Sequence, residues 1–85
     1  MAVFMVERDL PGMTIRELIA TQQAAIKAGR ELSENGKNVR YLRSTYVPGS
    51  SRCMCLFEAG SLDLVQQVNE KAKLPFTRIV EVLTL

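Results

Sequence analysis

The sequence has no histidine and no tryptophan, its aromatic residues are three Phe and two Tyr, and it has only two cysteines in 85 residues. Without imidazole there is no Ser-His-Asp hydrolysis, no histidine base poised near neutral pH and no histidine metal ligand. A Gly-rich phosphate loop, a Walker motif and a Cys-x-x-Cys redox pair are also absent. Neither sign of charge dominates: eleven Lys and Arg against nine Asp and Glu leave a net +2. The basic residues are spread from Arg8 to Arg78 and form no stripe for a nucleic-acid backbone. No apolar run approaches the ~20 residues of a membrane span. The start, Met1-Ala2-Val3-Phe4-Met5-Val6, lacks a basic n-region and meets Glu7 too early for a secretory signal. Cys53 and Cys55, two apart on one strand, would lie ~6.5–7 Å apart at Cα, at the limit of disulfide geometry. They are expected as free thiols, and the chain as a cytoplasmic protein.

What is present reads as one domain over residues 1–85. Residues 3–8 form a short apolar run closed by the turn Asp9-Leu10-Pro11-Gly12, the first strand. Thr14 stands three residues before Glu17 in capping-box spacing. Ile15, Leu18, Ile19, Gln22, Ala25, Ile26, Gly29 and Leu32 then recur with helical period until Asn35-Gly36. Gly29 within that stripe is expected to allow close packing of helix on sheet. Residues 39–47 and 52–58 flank Pro48-Gly49-Ser50-Ser51 as a hairpin. Ser61 caps a second helix with Leu64, Val65, Val68 and Ala72 on its apolar stripe, ending before Pro75, and residues 77–85 form the last strand. This order, strand, helix, strand, strand, helix, strand, is an α+β ferredoxin-like βαββαβ unit with both helices on one face of a four-stranded antiparallel sheet.

A chain this short buries only ~60% of its unfolded surface. Its third strand, Arg52-Cys53-Met54-Cys55-Leu56-Phe57, is apolar or soft at every position after the first. Successive strand side chains point to opposite faces, so this run predicts burial on both, with the face away from the helices covered by a second copy or closed around a ligand. A homodimer of the α/β-barrel kind is the expected assembly. In the last strand Val80 and Val82 alternate with Glu81, and in the second Leu42 and Ser44 alternate with Tyr41 and Arg43. The charged sets are expected to point away from the helices, which places Tyr41, Arg43, Glu81 and Glu7 on the open face and Leu42, Val80 and Val82 in the core. The alternation leaves the faces of Cys53 and Cys55 open.

Two clusters carry chemistry. Tyr41, Arg43, Glu7 and Glu81 are the candidate ligand site: Arg43 can take an anion, and a partly buried carboxylate can have a raised pKa. The competing reading pairs Arg43 with those carboxylates as structural ion pairs. Cys53 and Cys55, on one side of a strand, are the soft-ligand pair and could hold one edge of a nickel, Cu(I) or zinc site that symmetry completes from a second chain. The competing reading makes them core cysteines. RNA binding, which uses the same topology, fails on sequence: the third strand lacks the Lys/Arg-Gly-aromatic signature and offers only Phe57 for stacking.

Val6-Glu7-Arg8-Asp9-Leu10-Pro11-Gly12, Tyr41-Leu42-Arg43-Ser44, Cys55-Leu56-Phe57-Glu58-Ala59, Leu74-Pro75 and Arg78-Ile79-Val80-Glu81-Val82, in this order, resemble a family of small bacterial ferredoxin-like proteins. That family is mostly of unassigned function and is labelled after a nickel-binding member. The resemblance spans almost the whole chain and implies the ferredoxin-like fold, the dimer and nickel or another soft divalent metal as cofactor. The family usually has an aromatic residue, most often Trp, where Tyr41 stands and His where Arg43 stands, while Cys55 matches its cysteine. A guanidinium that stays protonated cannot replace imidazole as a ligand. The expectation is therefore a small homodimeric ligand-binding protein whose ligand is a soft metal ion at Cys53 and Cys55 or a small anion at Arg43. The alternative is a dimeric α/β-barrel enzyme of the monooxygenase or isomerase kind.

Overall fold

The computed structural model describes all 85 residues, Met1–Leu85. The elements are β1 (Ala2–Asp9), α1 (Ile15–Glu34), β2 (Val39–Val47), β3 (Arg52–Ala59), α2 (Leu62–Lys71) and β4 (Arg78–Val82). All pairings are antiparallel, in the order β2-β3-β1-β4. This is the ferredoxin-like topology, with the core between one sheet face and the two helices: Phe4, Val6, Cys53, Cys55 and Phe57 from the sheet meet Ala25, Ala28, Val65 and Val68 from above.

Local chemistry explains the boundaries. The Thr14 hydroxyl accepts from the Glu17 backbone N–H while the Glu17 carboxylate accepts from that of Thr14, a complete capping box. Gly36 takes a left-handed φ of +83° to end α1, and the Lys37 N–H then reaches the Leu32 carbonyl. Ser61 caps α2 through the Leu64 N–H. The last strand runs Arg78–Val82, short of the expected residue 85, its final pair with β1 being Val82 with Val3. Neither helix is long and apolar enough to cross a membrane.

The two halves of α1 pack unequally. Ala25, Ala28 and Gly29 are buried, whereas no residue between Ile15 and Ala24 is, and Ile15 and Ile19, expected on the packed stripe, are 73% and 47% exposed. Small side chains let the second half of the helix descend onto the sheet. Close packing does not require a glycine there, however: a Cβ on Gly29 would meet only the Tyr41 backbone nitrogen, at 4.0 Å. Gly29→Ala is therefore expected to raise stability by roughly 0.5–1 kcal/mol, since alanine has the better helix propensity. Urea denaturation checks this, and a loss of stability would restore the packing explanation.

Strand register decides which way each candidate side chain points. Residues directly opposite in neighbouring strands share a face. Glu81 lies opposite Phe4, and Val80 and Val82 lie opposite Met5 and Val3. Glu81 is thus on the helix side at the exposed edge, and Val80 and Val82 are on the open face, the reverse of the expectation. Assigning charge to the open face presumed that water wets that face, and its centre is apolar. In β2 the register shifts between Tyr41 and Arg43: Tyr41 lies opposite Phe57 and Arg43 opposite Leu56, with Leu42 extra. A bulge of this kind changes the parity of a strand. Tyr41 therefore turns under the helices, its ring edge-on to Phe57 at 5.5 Å and 78°, while Arg43 stays on the open face. Leu42, expected in the core, is the half-buried bulge residue. Glu7 is on the open face as expected, opposite Met54 and Arg78.

Candidate functional site: a buried thiolate and guanidinium

The four expected ligand residues do not converge. Arg43 is exposed on the open face and makes no ion pair. Glu7 is 5% exposed and held by Arg52 and Arg78. The hydrogen bond from Arg78, opposed by burial and reinforced by the charges of Arg78 and Arg52, keeps its carboxyl below the usual range. Tyr41 and Glu81 are on the other side of the sheet. Of the four, Tyr41 alone lines the larger surface pocket, about 450 Å³ between α1 and β2.

A different cluster is assembled under the helices, and it contains both cysteines. Phe4, Val6 and Arg8 share the helix-facing parity of β1, so the third of them carries a guanidinium into the core, where it is completely buried. Arg8 Nη1 donates to Asn69 Oδ1 at 2.7 Å and to the Pro75 carbonyl at 3.2 Å, and Nη2 donates to Cys55 Sγ at 3.4 Å. Its Nε has no partner. Asn69 falls on the apolar stripe of α2, one turn after Val65, and its Nδ2 returns a hydrogen bond to the Val65 carbonyl at 2.8 Å. No carboxylate reaches this side of the sheet centre: Glu7, next in sequence, points the other way.

The donors on the far side of Cys55 all point toward its sulfur. Ser44 Oγ donates to Cys55 Sγ at 3.0 Å. Having spent its only proton there, Ser44 must accept from the Tyr41 hydroxyl at 2.6 Å, and Tyr41 in turn accepts from Gln22 Nε2 at 2.9 Å. Cys53 Sγ lies 3.9 Å from Cys55 Sγ on the same strand face. A permanently charged guanidinium without a carboxylate needs an anion, and Cys55 is the group that can become one. The hydrogen bond from Cys53, the charge of Arg8 and the hydrogen bonds from Ser44 and Arg8 outweigh burial and hold the Cys55 thiol down to about 5. The same contact with Cys55, burial and the adjacent thiolate charge push Cys53 up. The donors converging on Cys55 favour the thiolate there and leave the proton on Cys53.

This donor set does not fit a metal ion held by the two cysteines. No third cysteine, histidine or carboxylate joins them, and Arg8 occupies the sulfur that a cation would approach. Both thiols lie under the helices, so two copies meeting through their open faces would not bring four sulfurs together.

Arg8, Ser44, Gln22 and Asn69 were not singled out as site residues from sequence. Strand parity after Phe4 and Val6 was the available signal for Arg8, and helical spacing from Val65 the one for Asn69. Ser44 shares its strand face with Tyr41 only because of the bulge, which nothing in the sequence announces.

Fold and site together define a ferredoxin-like α+β protein with a thiolate–guanidinium pair at the centre of its core and an uncovered sheet face. The chain belongs to the SCO4226-like family, described as nickel responsive protein SCO4226-like, whose model matches residues 4–82. It is similar to SCO4226 from Streptomyces coelicolor A3(2), known from its crystal structure, at 29% sequence identity and a TM-score of 0.84 over 99% of this chain and 100% of that one. No curated protein matches the chain.

Proposed function

We propose that the chain is a homodimeric small-ligand-binding protein, two copies meeting open face to open face, with a small anion as ligand at the rim of that interface. The uncovered face carries the reading. Val3, Met5, Met54, Leu56, Val80 and Val82 share it across three strands, each only half-buried in the protomer, and apolar surface of this kind is normally covered. Charged residues flank the strip: Glu7 with Arg52 and Arg78, and Arg40 with Glu58. Arg43 is the cation of that face without a carboxylate, free to take a carboxylate or phosphate through paired hydrogen bonds.

Nickel gives the family its description, but the side chains here support an anion better: there is no histidine, and the thiols are covered by helices and engaged by Arg8. A dimeric-barrel enzyme would need an acid–base group on the same face. Glu7, held ionised between two arginines, is a poor proton acceptor.

Sedimentation velocity at micromolar concentration is expected to give a dimer. Leu56→Asp, which puts an unpaired charge into the apolar strip, is expected to weaken it by roughly 3–5 kcal/mol, by analogy with broken buried pairs. A monomeric parent protein would sink the proposal. Arg43→Met is expected to fold and pair normally while losing the melting-temperature shift that inorganic phosphate or succinate gives the parent. An unchanged shift would place the anion elsewhere.

A further inference from the structure

We propose that Cys55 is a hydroperoxide-reactive thiolate with Cys53 as its resolving thiol, a redox modification site enclosed by the helices. Every charged or titratable group bonded to Cys55 favours this state. From β1 comes the buried Arg8 guanidinium, from β2 the Ser44 hydroxyl relayed by Tyr41, and from β3 Cys53, while α1 and α2 contribute only the neutral amides of Gln22 and Asn69. Arg8 keeps Cys55 anionic by charge balance, and the thiolate is the nucleophilic form of cysteine. The neutral partner stands 3.9 Å away on the same strand face.

Cys55 and Cys53 are only 2% and 6% exposed, so an oxidant reaches them through local opening of the structure. No residue in the first half of α1 is buried, and Leu18 and Gln22 reach down from it only half-buried. A water-sized oxidant can enter by small openings of such a segment.

The chemistry balances with a hydroperoxide as the oxidant. The Cys55 thiolate attacks the terminal peroxide oxygen; the S–O bond forms, the O–O bond breaks, and the departing alkoxide or hydroxide takes a proton from solvent to leave as alcohol or water. Cys55 is now a sulfenic acid, oxidised by two electrons, and the peroxide is reduced by two. The Cys53 thiol then attacks the sulfenic sulfur; the S–S bond forms and the hydroxyl leaves with the thiol proton as water. The bridge removes the anion that neutralised Arg8, so oxidation also loosens the fold.

Intact-mass spectrometry and peptide mapping after hydrogen peroxide treatment test this on the unmodified sequence. The expected product is a loss of two hydrogens from the peptide containing Cys53 and Cys55, reversed by dithiothreitol. In Cys53→Ser the expected product is instead a sulfenic acid on Cys55 that dimedone traps. The rate should change less than about twofold between pH 8 and pH 6, where an ordinary thiol of pKa near 8.5 slows by about 80-fold. A rate that follows the ordinary thiol, oxidation beginning at Cys53, or accumulation of sulfinic acid without the two-hydrogen loss would each overturn the proposal.

Discussion

Cys55→Ala is expected to cost about 3–5 kcal/mol of stability, because it leaves the completely buried Arg8 guanidinium without an anion. A chain of this length has roughly 4–13 kcal/mol in all, so the variant should stand close to unfolding. The loss is not a matter of sulfur volume. Cys53→Ala, on the same strand face and nearly as buried, removes a neutral thiol together with its hydrogen bond to Cys55 and is expected to cost less, about 1–2 kcal/mol. Arg8→Met removes the charge itself; Cys55 can then take up a proton, and the damage falls on Asn69 Oδ1 and the Pro75 carbonyl, which lose their donor. The double variant Arg8→Met/Cys55→Ala should be more stable than the two single losses predict, by a coupling of about 1–3 kcal/mol. Urea denaturation of the four proteins measures it. Strict additivity would mean that Arg8 and Cys55 do not share a charge.

Acid is expected to destabilise the protein well above the carboxylate range. Cys55 has its pKa held down to about 5 in the fold, against about 8.5 in an unfolded chain. Between those values the unfolded state binds the extra proton, so stability falls as the pH is lowered from about 8.5 to 5, and below 5 the contribution is gone. Cys53 acts at the other end. Its pKa is raised in the fold, so above about 8.5 the unfolded chain releases a proton that the fold retains, and stability declines again. Glu7, whose pKa is lowered chiefly by its hydrogen bond from Arg78, adds a further loss only as the pH falls below its ordinary value of 4.5. The optimum is therefore expected near pH 8, with a marked decrease already at pH 6. Stability measured by denaturant titration at pH 8, 7, 6 and 5 gives the slope, and Arg8→Met should flatten it. A parent protein equally stable at pH 8 and pH 5.5 would show that Cys55 is not ionised in the fold.

Most of the architecture was legible because it is written in local patterns. The Thr14 and Glu17 capping box, Asn35-Gly36, the Pro48-Gly49 turn, the Ser61 cap and the alternating apolar positions each act within a few residues, and together they yield the βαββαβ order and nearly correct boundaries. The candidate site was legible only in part. Cys53 and Cys55 were recognised as the soft cluster, and the placement of Glu7 and Arg43 on the open face agrees with the register. Tyr41 was misplaced by one bulge residue. Glu81, Val80 and Val82 were misplaced by the rule that charge marks the outer face, which fails where that face has an apolar centre.

The sequence by itself determined the elements, their order, the absence of imidazole chemistry and the chemical identity of every group that can act. These depend on residue type and on interactions a few positions apart. Only the tertiary structure decided that Arg8, Cys55, Ser44, Tyr41 and Asn69 meet, since they come from three strands and a helix and are up to 61 positions apart. Their chemistry comes from that meeting. In water Cys55 would be an ordinary thiol; beneath the helices, beside a guanidinium with no other counter-ion, it is held as a thiolate, because a charge removed from water must find its opposite close by.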